Sequence, residues 1–533
     1  MQAAPIDLLI IGLYLVAMMG VGFYYRRAAN TGMEQFFLAG RKIPGWLNGI
    51  SYTAALISAD AATAYGGLAT VTGLFVCWWY LSRFGLALFI GAVLFAIFWR
   101  QLNLFTSLEF YELRFRGKPA ALMRLWIAVR TSCIAMPAWT GITLLAACKI
   151  LEPTMGFSKT VTLWVVVPVS FIYVFFSGYQ GVVVSNLLQM LIFFAGTLSL
   201  AILTVRHFGG PGEFAQAIQT HSGGTASEML SILPPVDHGV FPLAAALAWL
   251  IGQSLGYGGD AAPMGGAVEG QRILSTRSPR EAVTMYLTTA LSTFTLLLLV
   301  SAPCLAAAIL WPELTEPGAD RELAYGRLMK MLLPAGLMGL VVAAMLAGVM
   351  STVSDNLNFG SQVMIHDLYE RWVHPGADER HYLWAGKVGM GLLLAASLAV
   401  VYNIHIIFDV AVFMLQLSAA ELPANWAQWW WWRFNGKARL AASFGGGAIF
   451  TLVVLGPKLL VSLGVAGAER LLIPWWWQTF LVVGLTTALW VAVALLTEPE
   501  DEPLLRAFYQ RARPMGWWGP IAAKVQDSSS APA

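Results

Sequence analysis

The chain has 533 residues, of which 58% are hydrophobic and only 11% charged, with 22 Trp and 29 Phe. So apolar a composition excludes a string of soluble domains and makes this an all-α polytopic membrane protein in the lipid bilayer. The formal net charge of +3 is too small to imply nucleic acid as a partner.

The first apolar run begins at Ile6 without a basic stretch before it and is long enough to span, so it reads as a retained helix and not a cleaved leader. In chain order the pattern predicts thirteen spans: 6–25, 45–72, 74–99, 122–150, 159–178, 184–206, 239–262, 281–311, 335–369, 382–402, 406–432, 440–464 and 472–497. Cys77, Cys133, Cys148 and Cys304 all fall in apolar segments and offer neither metal spacing nor a disulfide framework. An odd number of spans puts the termini on opposite sides. Of the 32 Lys and Arg, 21 lie on the side reached after the first span and 8 on the other, with Arg83, Arg130 and Lys387 deeper in spans. That excess predicts an inner (plasma) membrane protein with its N-terminus outside and its tail, 498–533, in the cytoplasm.

Two spans look broken. In the second, Ser58, Asp60 and Thr63 interrupt an apolar run ahead of Gly66 and Gly67. The seventh ends in Gly252-Gln-Ser-Leu-Gly-Tyr-Gly-Gly-Asp-Ala-Ala-Pro-Met-Gly-Gly266, too rich in Gly and Pro for a regular helix. Broken helices at matching positions of two halves point to the central site of a secondary transporter, where opened turns offer free carbonyls and amides. The breaks lie five spans apart, an odd number, so spans two to six and seven to eleven would be inverted five-helix repeats. The predicted organisation is therefore a first span and connection (1–44), one repeat (45–206), an external loop (207–238), a second repeat (239–433), two further spans (434–497) and the tail.

Span nine carries the most polar apolar helix, with the adjacent hydroxyls Ser351 and Thr352 followed by Ser354, Asp355, Asn356, Asn358 and Ser361. Such a face is costly in lipid and must meet protein, water or an ion. The plain alternative for each hydroxyl is a bond back to a carbonyl one turn earlier.

Four stretches together resemble the sodium/solute symporter family. They are Ser107-Leu-Glu-Phe-Tyr-Glu-Leu-Arg-Phe-Arg-Gly117, Gln271-Arg-Ile-Leu-Ser275, Met350-Ser-Thr-Val-Ser-Asp-Asn-Leu-Asn358 and Trp429-Trp-Trp-Trp-Arg-Phe-Asn435. With the tail motif Phe508-Tyr-Gln-Arg-Ala-Arg-Pro-Met-Gly-Trp-Trp-Gly-Pro520, the last of these suggests one bacterial branch. The resemblance implies the leucine-transporter-like inverted-repeat fold with one span added in front, and Na⁺-coupled symport of a small organic solute by alternating access. It also implies a sodium site at Ser351, Thr352 and the Gly348 carbonyl. Its remaining ligands would be the carbonyls of Ser58 and Ala61, or of Ile57 and Asp60 if the register is set on Gly67. The chemistry agrees, since Na⁺ is a hard cation that several neutral oxygens can hold without binding it too tightly to release.

Asp60 and Asp260 each sit in a break, where an acid is expected to bind a solute's hydroxyls or ammonium or a coupling ion, or else to pair with Arg83 or Arg130. Tyr65 and Tyr257 are expected to gate or stack on the solute, with simple packing as the alternative. The chain departs from the family at Asn186, where relatives commonly have an Asp associated with a second sodium, and at Gly265–Gly270, which lacks the aromatic gate of sugar-transporting relatives. Sugars, amino acids, carboxylates and quaternary amines therefore all stay open as substrates. An enzyme is not expected, because the seven His form no HExxH or paired metal spacing and no phosphate-cradling loop is found. A solute receptor that kept the fold without transport is the rival reading, but the short tail carries no signalling domain.

Overall fold

The computed structural model describes residues 4–76, 86–221, 229–231, 233–254 and 269–530. Among them nine helices are long and apolar enough to cross a membrane. Shorter apolar helices, Ala61–Val76, Ala87–Gln101 and Leu243–Gly252, fall on predicted spans two, three and seven.

One of the nine, Lys159–His207, has 49 residues. A straight helix of that length would measure about 74 Å, more than twice the hydrocarbon thickness. It is not straight: Gly178 adopts φ 55°, ψ −166°, a conformation open to glycine and not to residues with a Cβ. Tyr173 and Ser185, twelve residues apart, come within 3.1 Å through their hydroxyls. Along a helix axis they would be roughly 18 Å apart. The chain therefore folds back at Gly178, and predicted spans five and six are its two arms.

Burial ranks the helices from centre to rim. In span nine (Leu337–Val373) 89% of the most apolar window is buried, against 28% for span one (Pro5–Arg27) and 22% for Gly436–Ser462. Span nine is thus the axis, packed on both arms of 159–207, on Met136–Met155 and on span one. This is why its polar face can exist: each polar group meets protein and not lipid.

The two ends of the bundle are tied by charge. At the end opposite the basic excess, Lys149 bonds Asp320 at 2.9 Å and Glu322 at 2.6 Å, while Glu322 also accepts from the amides of Ile407 and Phe408 that open span eleven. Burial pushes the Glu322 carboxyl above its ordinary range, against the pull of Lys149. At the other end Arg124 pairs with Asp367 at 2.6 Å and Glu112 at 2.7 Å, and His366 bridges Glu109 and Glu370. These contacts bind the connection after span three to the end of span nine.

The tail is ordered and docks under the bundle. The Trp518 indole donates to the Trp429 carbonyl at 2.7 Å, and the Trp517 amide to the Trp430 carbonyl at 2.6 Å. Beneath them lies the buried guanidinium of Arg114, which donates to the carbonyls of Gln428, Trp431 and Phe434 and is covered by the rings of Phe508 and Trp518. An arginine at a helix C-terminus satisfies orphan carbonyls and the dipole together. The two Trp-rich motifs of the sequence are thus the two faces of one joint.

Candidate functional site

The helix Gly45–Leu56 ends because Ile57 turns extended (φ −115°, ψ 104°), and the chain restarts as helix from Ala59. The break in span two therefore sits at Ile57 and Ser58, whereas Gly66 and Gly67 lie inside a continuous helix, Gly66–Thr72. Opening the backbone here removes the amides that would have bonded the last carbonyls of the helix. Span nine supplies the replacements. Ser351 Oγ donates to the Ala54 carbonyl at 2.5 Å and Thr352 Oγ1 to the Ala55 carbonyl at 3.1 Å. Both hydroxyls also lie on the Gly348 carbonyl, at 2.9 and 3.1 Å. The helices approach so closely that a Cβ on Gly348 would stand 2.9 Å from Ser58 Cα.

Two hydroxyls and three main-chain carbonyls thus converge where two buried helices touch, with Ser351 fully buried and Thr352 nearly so. This donor set suits a small hard monovalent cation. The carbonyls met by the hydroxyls are those of Ala54 and Ala55, four residues before Ser58 and six before Ala61 respectively. Ser58 lies alongside through its Cα, and Ala61 opens the following turn, both buried. Ala54 and Ala55 carry no side-chain signal, and only the position of the break marks them.

Of the four residues expected to meet a solute, Asp60 is half-buried at the restart of span two and accepts a bond from the Ser58 hydroxyl. Tyr65 is buried at the end of the same turn. Tyr257 and Asp260 lie outside the described residues, as does Arg83. Arg130, the other basic group weighed as a partner for an acid in a break, pairs with Glu421 at 2.9 Å, and Glu421 also holds Arg439 at 2.8 Å. Glu421 is thus the shared counter-charge of two buried arginines.

Beside the hydroxyl site lies a network that sequence reasoning did not assemble. Asp355, one helical turn after Ser351, forms a fully buried ion pair with Arg272. Asn186 donates to Asp355 at 3.1 Å and to the Ser51 hydroxyl at 2.9 Å, and Arg272 reaches the same hydroxyl at 2.7 Å. Gln271 next door bonds Asn358 at 2.7 Å. The Gln271-Arg272 pair is therefore plugged into span nine and into the middle of the helix Gly45–Leu56. A signal for it was present: a buried acid in a span requires a base, and Arg272 was an unassigned one.

Residues 36–446 match the Sodium:solute symporter family. The chain is 23% identical over 428 residues to the sodium/glucose cotransporter 2 of Rattus norvegicus, a match covering 74% of this chain and 62% of that relative. It is 23% identical over 417 residues to the sodium/glucose cotransporter of Vibrio parahaemolyticus, covering 74% of each. Among solved structures it superposes on an outward-open, substrate-bound Na⁺-coupled sialic acid symporter with a TM-score of 0.74 and 18% identity, covering 93% of this chain and 99% of that one. That likeness speaks to the fold. With the family match spanning more than three quarters of the sequence, the chain belongs to the sodium:solute symporter family.

Proposed function

We propose that the protein is a secondary active transporter that uses inward Na⁺ to drive uptake of a small organic solute by alternating access between two inverted repeats. The observation that carries the proposal is the pair of hydroxyls, Ser351 and Thr352, seated on the carbonyls freed by the break in span two. An ion held there joins span nine to span two, and so biases the equilibrium between states that differ in how those helices meet. The N-terminus is outside and the tail cytoplasmic. The sodium/glucose relatives and the sialic acid symporter make sugars and their acidic derivatives the first solutes to try.

One Na⁺ accompanies each solute. Where relatives place a carboxylate for a further ion this chain has Asn186, and the neighbouring carboxylate, Asp355, already has Arg272 as its counter-charge. Uptake into proteoliposomes under separate Na⁺, K⁺ and H⁺ gradients, with the reversal potential of substrate-coupled current, tests both parts. Drive by H⁺ alone overturns the coupling, and a slope requiring two ions overturns the stoichiometry.

Asp260 is proposed to bind the solute. Asp260→Asn should then change solute affinity or its pH dependence several-fold with little change in melting temperature. Melting and solute titration on one purified variant distinguish this from a structural ion pair, which would show the reverse.

A further inference from the structure

At the end of the bundle that carries the basic excess, span one, the turn at Gly178 and the start of span ten enclose a cavity of about 390 Å³. Three cations line it: Arg26, Arg380 and Lys387. Among the described residues none of them forms an ion pair, and the nearby Glu379 turns its carboxylate toward Gly32 instead. Lys387 is 7% exposed, and its ammonium donates to Asn30 Oδ1 at 2.8 Å while lying 4.8 Å over the Phe175 ring and 5.1 Å over Trp384. With Phe36 5.8 Å away as a third ring, this buried ammonium is held by one amide and three ring faces, oriented but not neutralised.

The membrane face beside this cavity is apolar in a regular stripe. Trp384, Val388 and Leu392 recur one turn apart along span ten and are 61–62% exposed. Trp384 sits where the cavity meets the stripe, as Trp does at the boundary between headgroups and hydrocarbon.

We infer that this cavity is a binding site for an anionic phospholipid, whose phosphodiester lies among Arg26, Arg380 and Lys387 and whose acyl chain runs along Trp384, Val388 and Leu392. Three uncompensated cations call for an anion, and the apolar stripe leading away from them calls for a chain attached to it. The lipid joins span one to span ten and to the turn at Gly178. It rests on the membrane reading of the fold and not on sodium coupling or on the identity of the solute.

The test uses purified full-length protein, so neither orientation nor transport enters the result. Native mass spectrometry with added phosphatidylglycerol, cardiolipin or phosphatidylcholine should find the anionic lipids retained by the wild type, and phosphatidylcholine lost. Each basic side chain near the phosphate favours an anionic lipid by roughly fivefold. Arg26→Gln/Arg380→Gln should therefore reduce retention by roughly twenty-five-fold. The charge-keeping Arg26→Lys/Arg380→Lys should hold it, and so should Arg513→Gln in the tail, remote from the cavity in sequence. Equal retention of phosphatidylcholine by the wild type overturns the inference without recourse to any variant. So does displacement of phosphatidylglycerol by millimolar inorganic phosphate, which would mark a general anion site. Undiminished retention in the double Gln variant, or an equal loss in Arg513→Gln, would place the lipid elsewhere.

Discussion

Removing both hydroxyls of span nine, as Ser351→Ala/Thr352→Ala, is expected to raise the Na⁺ concentration for half-maximal uptake by roughly an order of magnitude or more, because two of the five converging oxygens disappear. Each single variant should fall between. Ser351 and Thr352 bond only carbonyls in the structure, so the double variant also leaves those of Ala54 and Ala55 without these donors, a stability cost read separately from the loss of ion affinity. Solute-dependent uptake measured across a Na⁺ series, with folding checked by monodispersity, decides the matter. Unchanged Na⁺ activation in a folded double variant would remove the site from this position.

The second large effect concerns stability. Asp355→Asn leaves the Arg272 guanidinium buried without its carboxylate, and breaking a buried pair from one side typically costs about 3–5 kcal/mol. Arg272→Met should be similarly damaging, since it strands Asp355. Removing both charges together, as Asp355→Leu/Arg272→Met, should recover much of the loss, because a buried pair contributes far less than the penalty for either orphan. Melting curves of the wild type, Asp355→Leu, Arg272→Met and the double variant in one detergent form the cycle. Losses in the singles that simply add in the double would show that the two groups act independently.

How much was legible beforehand differed between helices and contacts. Span nine was readable because a polar face inside an apolar helix contradicts lipid exposure, and it proved the most buried of the long helices. The break in span two was readable as the stretch from Ser58 to Gly67 but not to the residue: the backbone opens at the leading edge of that stretch, at Ile57 and Ser58, while Gly66 and Gly67 stay helical, and Ile57 has no conformational signature of its own. The carbonyl partners of Ser351 and Thr352 were illegible for the same reason, since main-chain oxygens are alike at every residue. Ion pairs such as Arg272 with Asp355, or Glu421 with Arg130 and Arg439, join residues 18 to 291 positions apart. Composition fixes that each needs a counter-charge, but not which one.

The joint between Arg114 and the tail bears on how the molecule is made. Arg114 is translated before ten of the thirteen predicted spans, yet the rings of Phe508 and Trp518 that cover it come after all of them. During synthesis its guanidinium therefore waits in water, and the carbonyls it will cap, from Gln428 to Phe434, emerge long after it. Closure of that end is a late event in biogenesis, and a ribosome stalled before residue 508 would display an inserted bundle with that end unsealed.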